Sequence, residues 1–337
     1  MKAKYIVPFA GLAVVLAGCS GDPGASSETE AKGQTYDWDM TITVGEQSSW
    51  YEGAEKFAEV LDKESDGRMQ LNLYTNEQLS GGDSVASLEQ LINGEKAFSY
   101  HSTIIYAGID EPFGAINAPF LYDSYEEADA TIEASALEAY KKLGDDLGVE
   151  VLGFGESGFR QITNNVRPIE SPSDLEGIKI RIPEISLFQD IYQALDANPI
   201  TMTFSEVFTA LQQGTIDGQE NPLDVTYSSG LTEVLDYMTM WNYVYDPLIL
   251  GMNDDLYESL SPEDQEIVQK AADEANTVQK ASNRSREDTQ LEEMKKVMEV
   301  STLNAKQRDA FNTAMEPIYD KYESVWGAEV ADAVQPK

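Results

Sequence analysis

The sequence predicts an α/β protein of two lobes, with a long helix near its C-terminus laid across both. Three observations lead there. Strand and helix periodicities alternate from residue 36 onward; a second alternating region follows the first; and the stretch after Ser261 reads as helix for longer than one lobe can bury.

The first 18 residues stand apart from that body. Lys2 and Lys4 form a positive start, Tyr5 to Leu16 an apolar run too short to span a bilayer, and "LAGC" closes it with small residues before Cys19. This is the pattern of a secretory signal. Residues 19–35, beginning "CSGDPGASSETEAK", have almost nothing apolar to bury and read as a flexible tether.

In the body, "MTITV" puts Met40, Ile42 and Val44 on one strand face. Tyr51, Ala54, Phe57, Ala58 and Leu61 then recur at helical spacing, and "MQLNLY" returns to strand alternation. Strand, helix, strand at this spacing is a parallel crossover unit. It repeats, with a helix near Val85 to Ile92 leading to "AFSY" and another from about Tyr125 to Leu147 leading to "VEVLGF". A new segment begins beyond Phe159. There Ser171 and Pro172 open a short helix in "SPSDLEG", strand "IKIRI" follows, and helices run from Leu187 to Leu195 and from Ser205 to Gln213. The expected lobes are 36–157 plus 247–286 and 158–246 plus 287–337. Ser261 caps the last long element with Pro262 at its first position, and no glycine or proline interrupts it until Pro317. Helical to about Glu299, it would run roughly 55 Å at 1.5 Å per residue; the alternative is two helices with an unmarked turn near Asn283.

Charge excludes several functions. The chain holds 60 acidic and 23 basic residues, a net charge of −37, or −39 once Lys2 and Lys4 are gone. Nucleic acids and anionic lipid surfaces are poor partners for such a body. The acids spread along the whole chain, which suggests a solvated surface suited to high salt. On the "IKIRI" strand, the three isoleucines share one face and Lys179 and Arg181 the other. Arg181 lies at the strand's carboxyl end, where open α/β sheets bind ligands, and a guanidinium there can take a carboxylate through two parallel hydrogen bonds.

The stretches "GFRQITNN", "SDLEGIKIRIP", "FSEVFTALQQGTIDGQENP" and "SPEDQ", in that order and spacing, resemble the substrate-binding proteins of tripartite ATP-independent periplasmic (TRAP) transporters, the DctP-like family. The likeness runs from about Tyr36 to the C-terminus. It implies a periplasmic-binding-protein-like fold with a ligand cleft between the lobes, and a receptor that captures a small organic acid and delivers it to TRAP membrane subunits, with no cofactor and no metal. "LAGC" in turn resembles the lipobox of bacterial lipoproteins, which implies that Cys19 carries a lipid anchor and that the protein is held periplasmically at a membrane; the alternative is a plain signal peptide with an incidental cysteine.

Carried over by position, the resemblance makes Arg181 the carboxylate-holding arginine and Arg160 a second ligand contact, with Asn221 and Phe204 also lining the pocket. Glu46, Trp50, His101, Ser102, Glu184 and Tyr243 are further candidates. His101 and Trp50 read equally as packed residues. Within "TALQQGTIDGQENP", Gly214 ends a helix, Gly218 permits a tight turn and Pro222 holds Asn221 extended, while Gln219 and Glu220 tie the loop to its neighbours. Where many relatives have an "NH" pair, this chain reads "WNYVY". The expected ligand is a C4-dicarboxylate or a sugar acid; a zwitterionic compatible solute such as ectoine is the alternative.

Enzyme readings find less support. "GFGESG" fits the dinucleotide pattern, but "FRQITNNVRP" after it supplies no helix N-terminus for a pyrophosphate, and "GESGF" misses the nucleophile elbow by one position. One histidine and one cysteine cannot build a zinc cluster of those ligands. A carboxylate-dyad hydrolase stays open, because 60 acids offer pairs everywhere.

Overall fold

Parallel crossovers build the first half of the sheet, and strands returning from later in the chain complete it. The computed structural model describes residues 33–337; the signal sequence, most of the tether and Cys19 lie outside the described residues. Strand β1 (Tyr36–Ile42), helix α1 (Ser49–Glu64) and strand β2 (Met69–Tyr74) form the first unit, and helix α2 (Ser84–Ile92) leads to β3 (Phe98–Ser102). Both β2 and β3 pair parallel with β1. Helix α3 (Thr103–Ala107) follows; α4 (Tyr125–Thr131) then continues through a π turn into α5 (Leu137–Leu147).

Strand β4 (Val149–Asn164) departs from expectation, because it does not end near Phe159. Beyond it come β5 (Lys179–Ile182), α6 (Ser186–Ala194), β6 (Asn198–Thr201), α7 (Val207–Gln212), β7 (Gly218–Pro222), α8 (Leu223–Ser228), β8 (Tyr237–Met240) and β9 (Tyr245–Asn253). Helix α9 (Asp254–Glu258), α10 (Pro262–Met294), β10 (Glu299–Thr302), α11 (Ala305–Trp326) and α12 (Ala328–Ala333) close the chain. The sheet order is β2-β1-β3-β9-β4-β7-β5-β6, with β8 on β4 and β10 on β8. Strand β4 belongs to both lobes: it pairs with β9 through Phe159 and with β7 from Arg160.

The glycines of "GFGESG" are explained by that passage. Register against β9 shifts between Val151 and Gly153 and again between Glu156 and Gly158. Gly153 and Gly158 take φ of +146° and +108°, and a Cβ on Gly155 would lie 1.8 Å from the Tyr100 hydroxyl.

Helix α10 is continuous past Asn283 and stops at Met294, so its 33 residues span about 50 Å. Its first half buries Val268, Ala271, Ala272 and Ala275, and α1 approaches so closely that a Cβ on Gly53 would meet Gln279 at 2.7 Å. Its second half is polar and grips β4 at the crossing. Gln279 accepts from the Glu156 amide at 2.7 Å and donates to the Glu156 carbonyl at 2.6 Å; Arg284 binds the Glu156 and Asp129 carboxylates. The end of the C-terminal stretch also reaches the α4–α5 region, where Tyr122 and Ser135 donate to the carbonyls of Val334 and Ala333.

Candidate ligand-binding site

A cavity of about 60 Å³ lies between the lobes, with Thr43, Trp50 and Ser102 on one side and Arg181, Phe204 and Asn221 on the other. Strand β5 carries Arg181 into it, held in register by Gln219 of β7 and Ile200 of β6. The side chain is 5% exposed. Its Nε and one Nη donate to the Met202 carbonyl at 2.9 and 2.6 Å, and the guanidinium sits 5.8 Å from the centre of the Phe204 ring. No carboxylate among the described residues pairs with it. Burial pushes its pKa down to about 10 against the pull of Glu220, with Arg160 adding to the depression. It stays charged at neutral pH.

Arg160 lies in the same cavity but in the opposite state. Its Nε donates to Glu220 Oε2 at 2.5 Å and Nη1 to Asp246 at 2.6 Å, while Nη2 reaches Glu220 Oε1 at 2.8 Å and Asn221 Oδ1 at 3.0 Å. Burial alone would lower its pKa; Glu220 and Asp246 outweigh it and hold the pKa above the ordinary value. Asp246 is raised by burial despite Arg160 and the hydroxyl of Ser102. Arg160, expected as a second ligand contact, does line the cavity, but the acids brought by β7 and β9 occupy nearly all its donors.

Other sequence candidates divide in the same way. Trp50, Ser102, Glu184, Phe204 and Asn221 line the cavity. Trp50 is 3% exposed, and its indole nitrogen has no partner among the described residues. Glu46 is solvent-exposed and outside the lining. His101 does not line the cavity either: it is fully buried on β3, with Nε2 at 2.7 Å from Glu77. Tyr243 is likewise set back, donating to Glu220 Oε2 at 2.6 Å and packed 4.4 Å from Trp241 between ring centres. Buried carboxylates take up nearby hydrogen-bonding groups first, so His101 and Tyr243 support acids and leave the wall to others.

The "TALQQGTIDGQENP" segment departs from expectation at one glycine. Gly214, at φ +68°, does follow the end of α7. Gly218 sits inside β7 and makes no turn; a Cβ there would meet the Thr163 carbonyl oxygen at 2.3 Å. Gln219 and Glu220 bond to Thr163 and Arg160. Sequence reasoning missed Asp246 and the apolar wall of Val44, Val85, Ile104, Ile105 and Val225. Asp246 did carry a signal, as a lone acid within the apolar run "YVYDPLILGM". The lining includes no histidine, cysteine or lysine. What it offers is one cation without a carboxylate partner, a buried N–H donor, an aliphatic face and a few hydroxyl and amide groups from Thr43, Ser84, Thr203 and Asn221.

The family model for bacterial extracellular solute-binding proteins, family 7, named DctP, matches residues 40–325. The chain belongs to that family. A solute-binding protein of Roseobacter denitrificans is 36% identical over 242 residues, 69% of this chain and 72% of the relative. Among solved DctP-like structures, a TRAP periplasmic solute-binding protein of Ralstonia eutropha with bound (S)-2-acetolactate superposes with a TM-score of 0.85 at 30% identity, covering 88% of this chain and 97% of that one. The sugar-acid-binding protein of Advenella mimigardefordensis, in complex with galactonate, also gives 0.85, at 28% identity over 89% and 97%. DctP members are extracellular solute-binding proteins, and this chain has the two-lobe fold and long C-terminal helix of its TRAP structural neighbours. Among its described residues no helix is long and apolar enough to cross a membrane.

Proposed function

We propose that the chain captures a small organic acid by pairing its carboxylate with Arg181, closes its lobes over it, and hands it unchanged to TRAP membrane subunits. The observation that carries this reading is a buried guanidinium whose hydrogen-bond partner is a carbonyl and with which no acid among the described residues pairs. In a chain with 60 acidic residues, leaving one buried arginine without a carboxylate is a choice of place. The glycine bulges of β4 at the lobe crossing support bending there, where a few residues can absorb the backbone change. Relatives that hold acetolactate and galactonate indicate the range of acids to try. Cys19 is the proposed lipid anchor, and the acidic surface the adaptation to salt.

The test is thermal unfolding of the chain lacking residues 1–18 against dicarboxylates, sugar acids, oxo acids, ectoine and amino acids, in low and high salt. A ligand at 100 times its dissociation constant adds about 2.7 kcal/mol of stability. Mass spectrometry of the recovered ligand separates a receptor from a hydrolase, since a receptor returns it intact. Stabilisation by no acid would end the proposal.

A further inference from the structure

Resting on that organic-acid reading, we propose that the cavity selects an acid with a single carboxylate, an acceptor oxygen beside it and a compact aliphatic body. Trp50 is the specificity-determining residue, its indole N–H taking that oxygen. Three features of the wall lead there.

The first is the supply of cations. Two guanidiniums line the cavity and no lysine or histidine joins them. Arg160 is committed to Glu220 and Asp246, which leaves Arg181 alone for the ligand. A second carboxylate would find no cation, and would instead share the cavity with Asp83 and Glu184. Its desolvation would go uncompensated.

The second is the Trp50 indole. It lines the cavity, is 3% exposed, and its Nε1–H meets no acceptor among the described residues. Buried donors without partners are uncommon in folded proteins, and an indole can donate only. A 2-oxo or 2-hydroxy oxygen on the ligand supplies the missing acceptor. A ligand without one leaves the N–H unsatisfied in the complex, where water can no longer reach it.

The third is the aliphatic part of the wall. Val44, Val85, Ile104, Ile105 and Val225 offer no hydrogen bonds to a polyol chain, which leaves only Thr43, Ser84, Ser102, Thr203, Asn221 and the acids of the lining to meet its hydroxyls. Hydroxyls buried against the aliphatic part would lose water and gain nothing, while a branched aliphatic group gains burial. At about 10–15 Å³ for each water position, the cavity of about 60 Å³ suits a short ligand.

Calorimetric titration of four probes tests this in wild type and two variants: 3-methyl-2-oxobutanoate, 3-methylbutanoate, which lacks the oxo oxygen, succinate and galactonate. The oxo acid is expected to bind at least 10-fold more tightly than 3-methylbutanoate and 100-fold more tightly than succinate. Trp50→Phe, which keeps the aromatic bulk and removes the donor, is expected to reduce the first ratio to about 2-fold or less. Succinate or galactonate binding more tightly than the oxo acid, and lost in Arg181→Met, would overturn the selectivity and leave the organic-acid reading standing. Binding of any probe that survives Arg181→Met would overturn both, and no binding of the oxo acid would overturn the selectivity. A ratio unchanged in Trp50→Phe would remove Trp50 from the assignment.

Discussion

Arg181→Met replaces a buried guanidinium with a neutral side chain of similar reach, and it should move stability and binding in opposite directions. The guanidinium sits at about 10 where 12.5 is ordinary, so the folded state disfavours its charge, chiefly through burial. A base with a depressed pKa carries that penalty in full at every pH below the folded value, including pH 7. The displacement bounds the penalty at about 3 kcal/mol; two hydrogen bonds to Met202 and contact with Phe204 return part of it. The ligand-free variant is therefore expected to be about 1–2 kcal/mol more stable than wild type in urea unfolding at pH 7. Binding should weaken at least 100-fold, about 3 kcal/mol, as a desolvated pair of charge-assisted bonds is lost. With saturating ligand the order of stabilities reverses. A ligand-free variant less stable than wild type would refute the reasoning, because Arg181 would then be a structural cation held by Glu220.

Arg160→Met should behave in the contrary way, losing about 3–5 kcal/mol because Glu220 and Asp246 stay buried without their partner; urea unfolding should show a larger deficit at pH 8 than at pH 5, because Asp246, already raised by burial, takes up a proton more readily at the lower pH. His101→Ala removes the main partner of Glu77, whose carboxyl is held at about 2 by His101 against its own burial. It should cost about 3 kcal/mol while ligand affinity, read by calorimetry, stays within about 3-fold. In wild type, the Glu77 contribution is present above its unfolded value near 4.5 and fades as pH falls toward 2, which acid titration of unfolding would follow. Glu287 is the reverse case: burial raises it to about 7, against the hydroxyl of Tyr125. Its unfolded form gives up the proton first, so stability declines as pH rises from about 4.5 to 7. Glu287→Gln should match wild type near pH 4 and exceed it by about 1–2 kcal/mol at pH 8.

Much of the fold was legible because it rests on local pattern. Alternation and 3.6-residue spacing located β1, α1, β2 and the capped start of α10 directly. The continuity of β4 was not legible, since its glycines answer to Tyr100 and β9, nearly 100 residues downstream. The two arginines make the same point at the site. Nothing adjacent in sequence distinguishes Arg160 from Arg181; acids 60 and 86 residues away from Arg160 decide which of them is neutralised. His101 and Tyr243 were candidates for the wall by position, and their partners Glu77 and Glu220 drew them behind it.

The place of β9 between β3 and β4 also bears on how the chain acquires its structure. Until residue 253 is present, β3 has an open edge and the first part of β4 has no neighbour to pair with, so an emerging polypeptide carries both in that state until β9 appears, about 100 residues after β4 begins. Contacts of such long sequence separation slow folding, because loops must close before any pairing rewards them. The first lobe cannot complete its sheet before β9 is in place. Fragments ending before β9 are expected to aggregate, and kinetic refolding of the whole chain should show one slow, concerted phase for both lobes. For a polypeptide that must stay threadable until it has crossed a membrane, that delay is an advantage.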